Sequence, residues 1–213
     1  MGEGRESDAE LLQAWRDGDR ERGNRLFARH VRSISAFFRS KLPEAAEDLT
    51  QRTFLALVEQ ADRFRGDSSV RTYLYAIARK QLLMHLRTLT TDRRRFDPAS
   101  WSLVDAGAQV TQPLAKQQEA GLLLAALQTL PVDYQIALEL FYWEDMEVAA
   151  IAEVLEAPVG TIKSRLSRGR TLLGTAIENL APSLQLQTSV AGDLARWMRA
   201  LPGAVRRGGD PEP

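Results

Sequence analysis

The chain of 213 residues balances 28 Lys plus Arg against 28 Asp plus Glu, so net charge selects neither an anionic nor a cationic partner. Hydrophobic residues make up 44%, enough for buried cores and against a chain disordered throughout. With no cysteine, and with His30 and His85 far apart, disulfide frameworks and cysteine-based zinc sites are excluded, a histidine-only metal site is disfavoured, and no cofactor is expected.

The opening "MGEGRESDAELL" is polar and acidic, unlike a secretory signal. No apolar run approaches the roughly 20 residues a membrane helix needs, so a soluble, cytoplasmic protein without a membrane partner is expected. "SDAE" at 7–10 has the spacing of a capping box, with Ser7 and Glu10 as the reciprocal pair. Leu11, Leu12 and Trp15 follow as an inner face, and "DGD" at 17–19 stops that helix. The spacing predicts a second helix from about 24 to 40, with Phe27, Val31, Ile34, Phe37 and Phe38 on one stripe. Pro43 opens a third, whose inner stripe runs through Thr50, Phe54, Leu57, Val58 and Ala61. Asp48, Gln51, Arg52, Leu55 and Glu59 fall on its other side, either as a protein-docking face or as an ordinary solvated surface.

"RFRGDSS" breaks the period, and a fourth helix faces Leu74, Ile77, Ala78, Leu82 and Leu86 inward. Beside the break, Tyr73, Tyr75, Arg79 and Lys80 mix aromatic planes with cations. That mixture suits stacking on unpaired bases and tracking of their phosphates, although either tyrosine alone is more often a core residue. From about 88 to 118 no period is sustained, and Pro98, Gly107 and Pro113 read as a linker.

A second helical block occupies about 119 to 180. Within it, "DMEVAAIAEVLEA" predicts a helix capped by Asp145, with Val148, Ile151, Ala152 and Leu155 on its apolar face. After a short break, Pro158 is placed to start a helix that turns Ile162, Leu166 and Leu173 inward, with Gly169 permitting close packing. Two short helices, a tight turn and small residues at the contact describe a helix-turn-helix unit. The second helix then presents Thr161, Ser164, Arg165 and Arg168, flanked by Lys163, Ser167 and Arg170, with no acid before Glu178. Arginine reads guanine edges bidentately, while Ser, Thr and Lys suit phosphates. A solvated basic face on a bundle helix is the alternative, and the preceding helix favours DNA. The expected fold is therefore all-α: two small helical domains joined by a flexible linker, the second containing the helix-turn-helix.

Together, "AEDLTQRTFLALVE", "FRGDSSVRTYLYAIARK" and "LQTLP…IAEVLEAPVGTIKSRLSRGRTLL" resemble bacterial RNA polymerase sigma factors of the extracytoplasmic-function (ECF) type, over about residues 8–88 and 119–178. The resemblance implies a non-enzymatic promoter-specificity subunit. Residues 1–88 would be region 2, 89–118 the linker, 119–180 region 4, and 181–213 an extension of unknown role. Docking on core RNA polymerase would fall to Asp48, Leu49, Gln51 and Phe54. Capture of the melted −10 element would fall to Arg65, Gly66, Asp67, Ser68, Ser69, Tyr73, Arg79 and Lys80. Duplex −35 DNA would be read by Thr161, Lys163, Ser164, Arg165, Arg168 and Arg170. The implied partners are core RNA polymerase and promoter DNA, with an anti-sigma factor as a further candidate. Tyr73, Lys80, Met84 and Glu156 depart from the family's usual Trp, Asn, Asp and turn Gly. A free-standing helix-turn-helix regulator is the competing reading. A helical enzyme has neither a nucleophile motif nor a carboxylate pair in its favour.

Overall fold

The computed structural model describes residues 6–61, 64, 66–90, 96–108, 118–180, 196, 198 and 199. Among them are eight α-helices and no named strand. The first four are α1 (Asp8–Arg16), α2 (Arg20–Arg39), α3 (Ala46–Glu59) and α4 (Val70–Leu89). A single 3-10 turn at Pro43–Ala45 leads into α3. The second four are α5 (Gln118–Gln128), α6 (Val132–Tyr142), α7 (Val148–Leu155) and α8 (Val159–Leu180).

Local chemistry starts the N-terminal helices where it should. The Ser7–Glu10 capping box forms in both directions. Asp19 caps α2 by accepting from the Arg22 amide, and Ser69 caps α4 by accepting from the Thr72 amide. Gly18 takes φ +97° at the corner between α1 and α2, a conformation open to glycine at little cost.

The inner faces of α1–α4 meet through Leu11, Leu12, Ile34, Phe38, Leu57, Leu74 and Leu82, all buried. Phe27 and Val58 depart from the stripes assigned to them: both are exposed and line an open groove of ≈ 970 Å³ between α2 and α3. Periodicity marks an apolar stripe but does not distinguish a core from a groove beside it.

The connector is structured over part of its length. Residues 96–108 fold into turns that bury Phe96, Leu103 and Ala106, and the Trp101 and Pro98 carbonyls accept from the Val132 and Asp133 amides at the start of α6. The two groups of four helices also pack against each other, chiefly α4 on α7. Helix α6 is buried nearly all round, including Asp133, Gln135 and Glu139. Acids at such depth need partners, and each of these two has one in the other group of helices and one in its own. Of the chain beyond residue 180, Arg196, the buried Met198 and the Arg199 guanidinium over the Tyr142 ring are described, and an expected apolar stripe through Leu194, Trp197, Met198 and Leu201 otherwise lies outside the described residues.

Candidate nucleic-acid interface

Helices α7 and α8 make the expected two-helix unit. Ala152 is buried in α7, and a Cβ on Gly169 of α8 would come within 3.2 Å of Leu138 in α6. The turn between them is made by Glu156 at φ 50°, ψ 44°, in the left-handed region where a side chain is strained. Its boundaries differ slightly from the sequence reading. Glu147, rather than Asp145, occupies the position before α7, and Pro158 precedes the first residue of α8 rather than beginning it. Neither Asp145 nor Glu147 caps α7 through its side chain; the Glu147 carbonyl accepts from the Ile151 amide.

Ile162, Leu166 and Leu173 point inward as read, joined by Ile177. Lys163, Ser164, Ser167, Arg168 and Arg170 are exposed, and none of the three cations pairs with an acid among the described residues. The Ser164 hydroxyl donates to the Thr161 carbonyl at 2.8 Å, one turn back along the helix. Thr161 is half-buried at the edge of this face. An exposed row of cations on one helix, with no acid among them, is an electrostatic footprint for a polyanion.

Arg165 is placed differently. Its side chain is 13% exposed and pairs with Asp133, itself 4% exposed, at 3.1 Å. Asp133 also accepts from Arg79 of α4 at 3.0 Å. Arginines assigned to two different DNA elements thus meet on one buried carboxylate. Nearby, Arg71 of α4 pairs with Glu144 at 2.7 Å.

Around α4 the other candidates divide. Gly66, Asp67 and Ser69 are exposed and Ser68 half-buried in the loop before the helix; Arg65 lies outside the described residues. Lys80 is exposed. Tyr73 is half-buried, tilted against Phe64 with ring centres 5.4 Å apart, and its hydroxyl donates to the Gln60 carbonyl at 3.4 Å. Tyr75 is fully buried against Phe37, so it belongs to the core.

On α3, Asp48, Gln51 and Leu55 share an exposed face, with Leu55 56% exposed, whereas Leu49 and Phe54 are buried beneath it. Those two set the position of the face rather than its contact chemistry. The Asp48 carboxylate accepts from Arg52 one turn on, at 2.9 Å.

A further cluster is not marked by any spacing motif in the sequence. Lys41, 0% exposed, forms an ion pair with Glu139, 1% exposed, between the end of α2 and the middle of α6. Lys41 also donates to the Phe37 carbonyl at 2.9 Å and to the Ser40 hydroxyl at 3.1 Å, and its ammonium sits 3.8 Å from the Phe37 ring centre. Glu139 accepts in addition from Ser40 and Gln135. Burial pushes the Lys41 ammonium below its ordinary pKa and the Glu139 carboxyl above its own, while their mutual attraction opposes both shifts. The partners lie 98 positions apart, so no local spacing announces them.

Comparison with known proteins agrees with this layout. The Sigma-70 region 2 family matches residues 25–91, and the Sigma-70, region 4 family matches residues 120–173. The ECF RNA polymerase sigma factor SigM of Mycobacterium tuberculosis is 31% identical over 188 residues, spanning 85% of this chain and 90% of the relative. Among solved structures, CnrH in complex with the cytosolic domain of CnrY is similar in fold, with a TM-score of 0.57, 21% identity, and coverage of 82% of this chain and 99% of that one. The sigma factor RpoE of Bartonella quintana, solved with the anti-sigma factor NepR, gives a TM-score of 0.56, 22% identity, and coverage of 75% and 97%.

Proposed function

The chain belongs to the ECF family of RNA polymerase sigma factors, and on that premise we propose how its parts divide the work of promoter-directed initiation. Residues 1–88 act as the region that binds core polymerase and the −10 element. Residues 89–118 connect, residues 119–180 read the −35 element, and residues 181–213 form an extension. The exposed face of α3, built on Asp48 and Gln51 with Leu49 and Phe54 holding it from beneath, docks on core RNA polymerase. Tyr73, Arg79, Lys80 and the loop from Arg65 to Ser69 capture melted −10 bases. Helix α8 enters the major groove at −35, with Arg165 and Arg168 toward base edges, Lys163 and Arg170 toward phosphates, and Thr161 and Ser164 fixing its register. The protein acts without catalytic chemistry of its own and works in the cytoplasm, where promoter DNA lies. An anti-sigma factor is proposed as a further partner by analogy with the complex described for RpoE.

The observation that carries this reading is the exposed, acid-free row of Lys163, Arg168 and Arg170 on a helix that follows a tight turn from α7. No helix among the described residues is long and apolar enough to cross a membrane.

Run-off transcription with purified core polymerase and a library of promoter fragments tests the reading. Transcripts that begin at a shared subset of fragments, only when the protein is present, are expected. Core polymerase that binds the protein yet starts without preference for any fragment would overturn the promoter-reading role. A free-standing regulator would instead bind duplex DNA and leave polymerase alone.

A further inference from the structure

We propose that the chain beyond α8 latches the helix on which α8 rests: Met198 and Arg199 seat at the aromatic C-terminal end of α6 and so fix how the DNA-reading helix is presented. The positioning part of this inference rests on the assignment of α8 to the −35 element.

Helix α6 is held at both ends by segments outside the two family matches, which cover residues 25–91 and 120–173. At its N-terminal end the Trp101 and Pro98 carbonyls accept from the Val132 and Asp133 amides. At its other end the helix finishes on Phe141 and Tyr142, set edge to face with ring centres 5.0 Å apart, and Trp143 follows; all three are half-buried. Met198 is 0% exposed and belongs to the same apolar core as Ile136, Leu138 and Leu140 of α6. The next residue, Arg199, is exposed and places its guanidinium 5.9 Å from the Tyr142 ring centre, within range of a cation over an aromatic face. The last turn of α6 has no basic residue of its own, so Arg199 also brings a positive charge to the negative end of the helix dipole.

The chain has the length to make this contact to itself. Leu180, the last residue of α8, shares a groove with Pro131 at the N-terminal end of α6. From there to Tyr142 the helix spans about 16 Å, and the stretch from Leu180 to Met198 covers more than that even at helical rise. A solvated extension does not bury a methionine completely; this side chain is suited to filling an irregular apolar seat. Helix α6 in turn sets α8. A Cβ on Gly169 would meet Leu138 at 3.2 Å, and Ile136 and Leu138 are buried in one core with Ile162, Leu166 and Leu173. Packing this close transmits a shift of α6 to α8 rather than absorbing it. Met198 and Arg199 are therefore positioning residues, acting on DNA through α6.

Limited trypsin digestion of the full chain tests the latch, with cleavage after Arg196 read by mass. The wild-type chain should resist there. Met198→Gln puts an amide in an apolar seat, and Arg199→Glu, an exposed change, reverses the charge at the end of α6. Each should be cut about tenfold faster, because cleavage follows the open population, whereas Met198→Leu should resist like the wild type. Equal rates in the wild type and both folded variants overturn the latch. Protection that falls on dilution would mean that a second copy fills the seat, which overturns the latch as an intramolecular device. With core polymerase, Met198→Gln should lower the preference for fragments carrying the −35 element over fragments with it scrambled by about fivefold, and Met198→Leu should keep it. A variant that is cut quickly yet retains the full preference overturns the positioning role. If the wild-type chain itself shows no −35 preference, the assignment of α8 fails, and the cleavage contrast still decides the latch.

Discussion

The outward faces of α3 and α8 both carry the residue types of contact surfaces, and the folded chain treats them differently. On α3, Asp48, Gln51 and Leu55 stand in solvent with nothing from the second group of helices among the ion pairs of Asp48. On α8, the outer cations are exposed while Arg165 turns in to a buried carboxylate that it shares with Arg79. A face that docks another protein can wait exposed, because its energy comes from burial on contact. A base-reading arginine gains its selectivity from desolvated, oriented hydrogen bonds, and the same properties let an internal acid hold it.

The contrast between buried and exposed pairs gives the largest expected effect. Lys41→Ala strands Glu139 in the interior and should lower the stability of the closed chain by about 3–5 kcal/mol in denaturant unfolding. Arg52→Ala, which breaks the exposed Asp48–Arg52 pair, should change it by no more than about 0.5 kcal/mol. Equal losses would mean that depth does not separate the two contacts.

The α3 side of the comparison is broken by removing its polar contacts. Asp48→Ala with Gln51→Ala should weaken association with core polymerase about tenfold or more, the scale of losing interface anchors, with helical content unchanged by circular dichroism. Unchanged pull-down of core enzyme by the folded double variant would place docking elsewhere.

A smaller effect is expected at the turn. Glu156→Gly relieves a left-handed side chain but adds backbone freedom to the unfolded chain, for a net gain of about 1 kcal/mol in stability. A fall in melting temperature would show that the Glu156 side chain contributes more than its strain costs.

The smallest effect is pH-dependent and local to α1. Burial raises the Asp8 carboxyl, but hydrogen bonding from Arg29 at 2.9 Å and the nearby His30 outweigh it and hold its pKa below the ordinary carboxylate value. A folded value below the unfolded one means that this contribution is complete above about pH 4 and drains as pH falls through the folded value. Asp8→Asn should therefore flatten the acid end of the stability profile while leaving its slope above pH 5 unchanged.

What the sequence made legible was what local spacing encodes. The Ser7–Glu10 box, the inward Ile162, Leu166 and Leu173, and the outward Asp48, Gln51 and Leu55 all depend on neighbours within two helical turns. The positions of Phe27 and Val58 were not, because a groove and a core present the same apolar period. The Lys41–Glu139 and Arg79–Asp133–Arg165 contacts were least legible, since each joins residues that only the closure of the whole chain brings together. One retrospective signal exists: Asp133, Gln135 and Glu139 lie in an otherwise apolar "VDYQIALEL", where polar and acidic side chains imply buried partners.

The central claim is that α8 reads sequence and does not merely hold DNA, and transcription across a −35 library tests it most directly. Arg165→Ala and Arg168→Ala should each cost about 1–3 kcal/mol and relax preference at one or two base pairs. Lys163→Ala should weaken all sequences alike and reduce the salt slope by about one ion. Uniform weakening by both arginine variants, with every base preference intact, would contradict the account and move promoter recognition to another part of the chain.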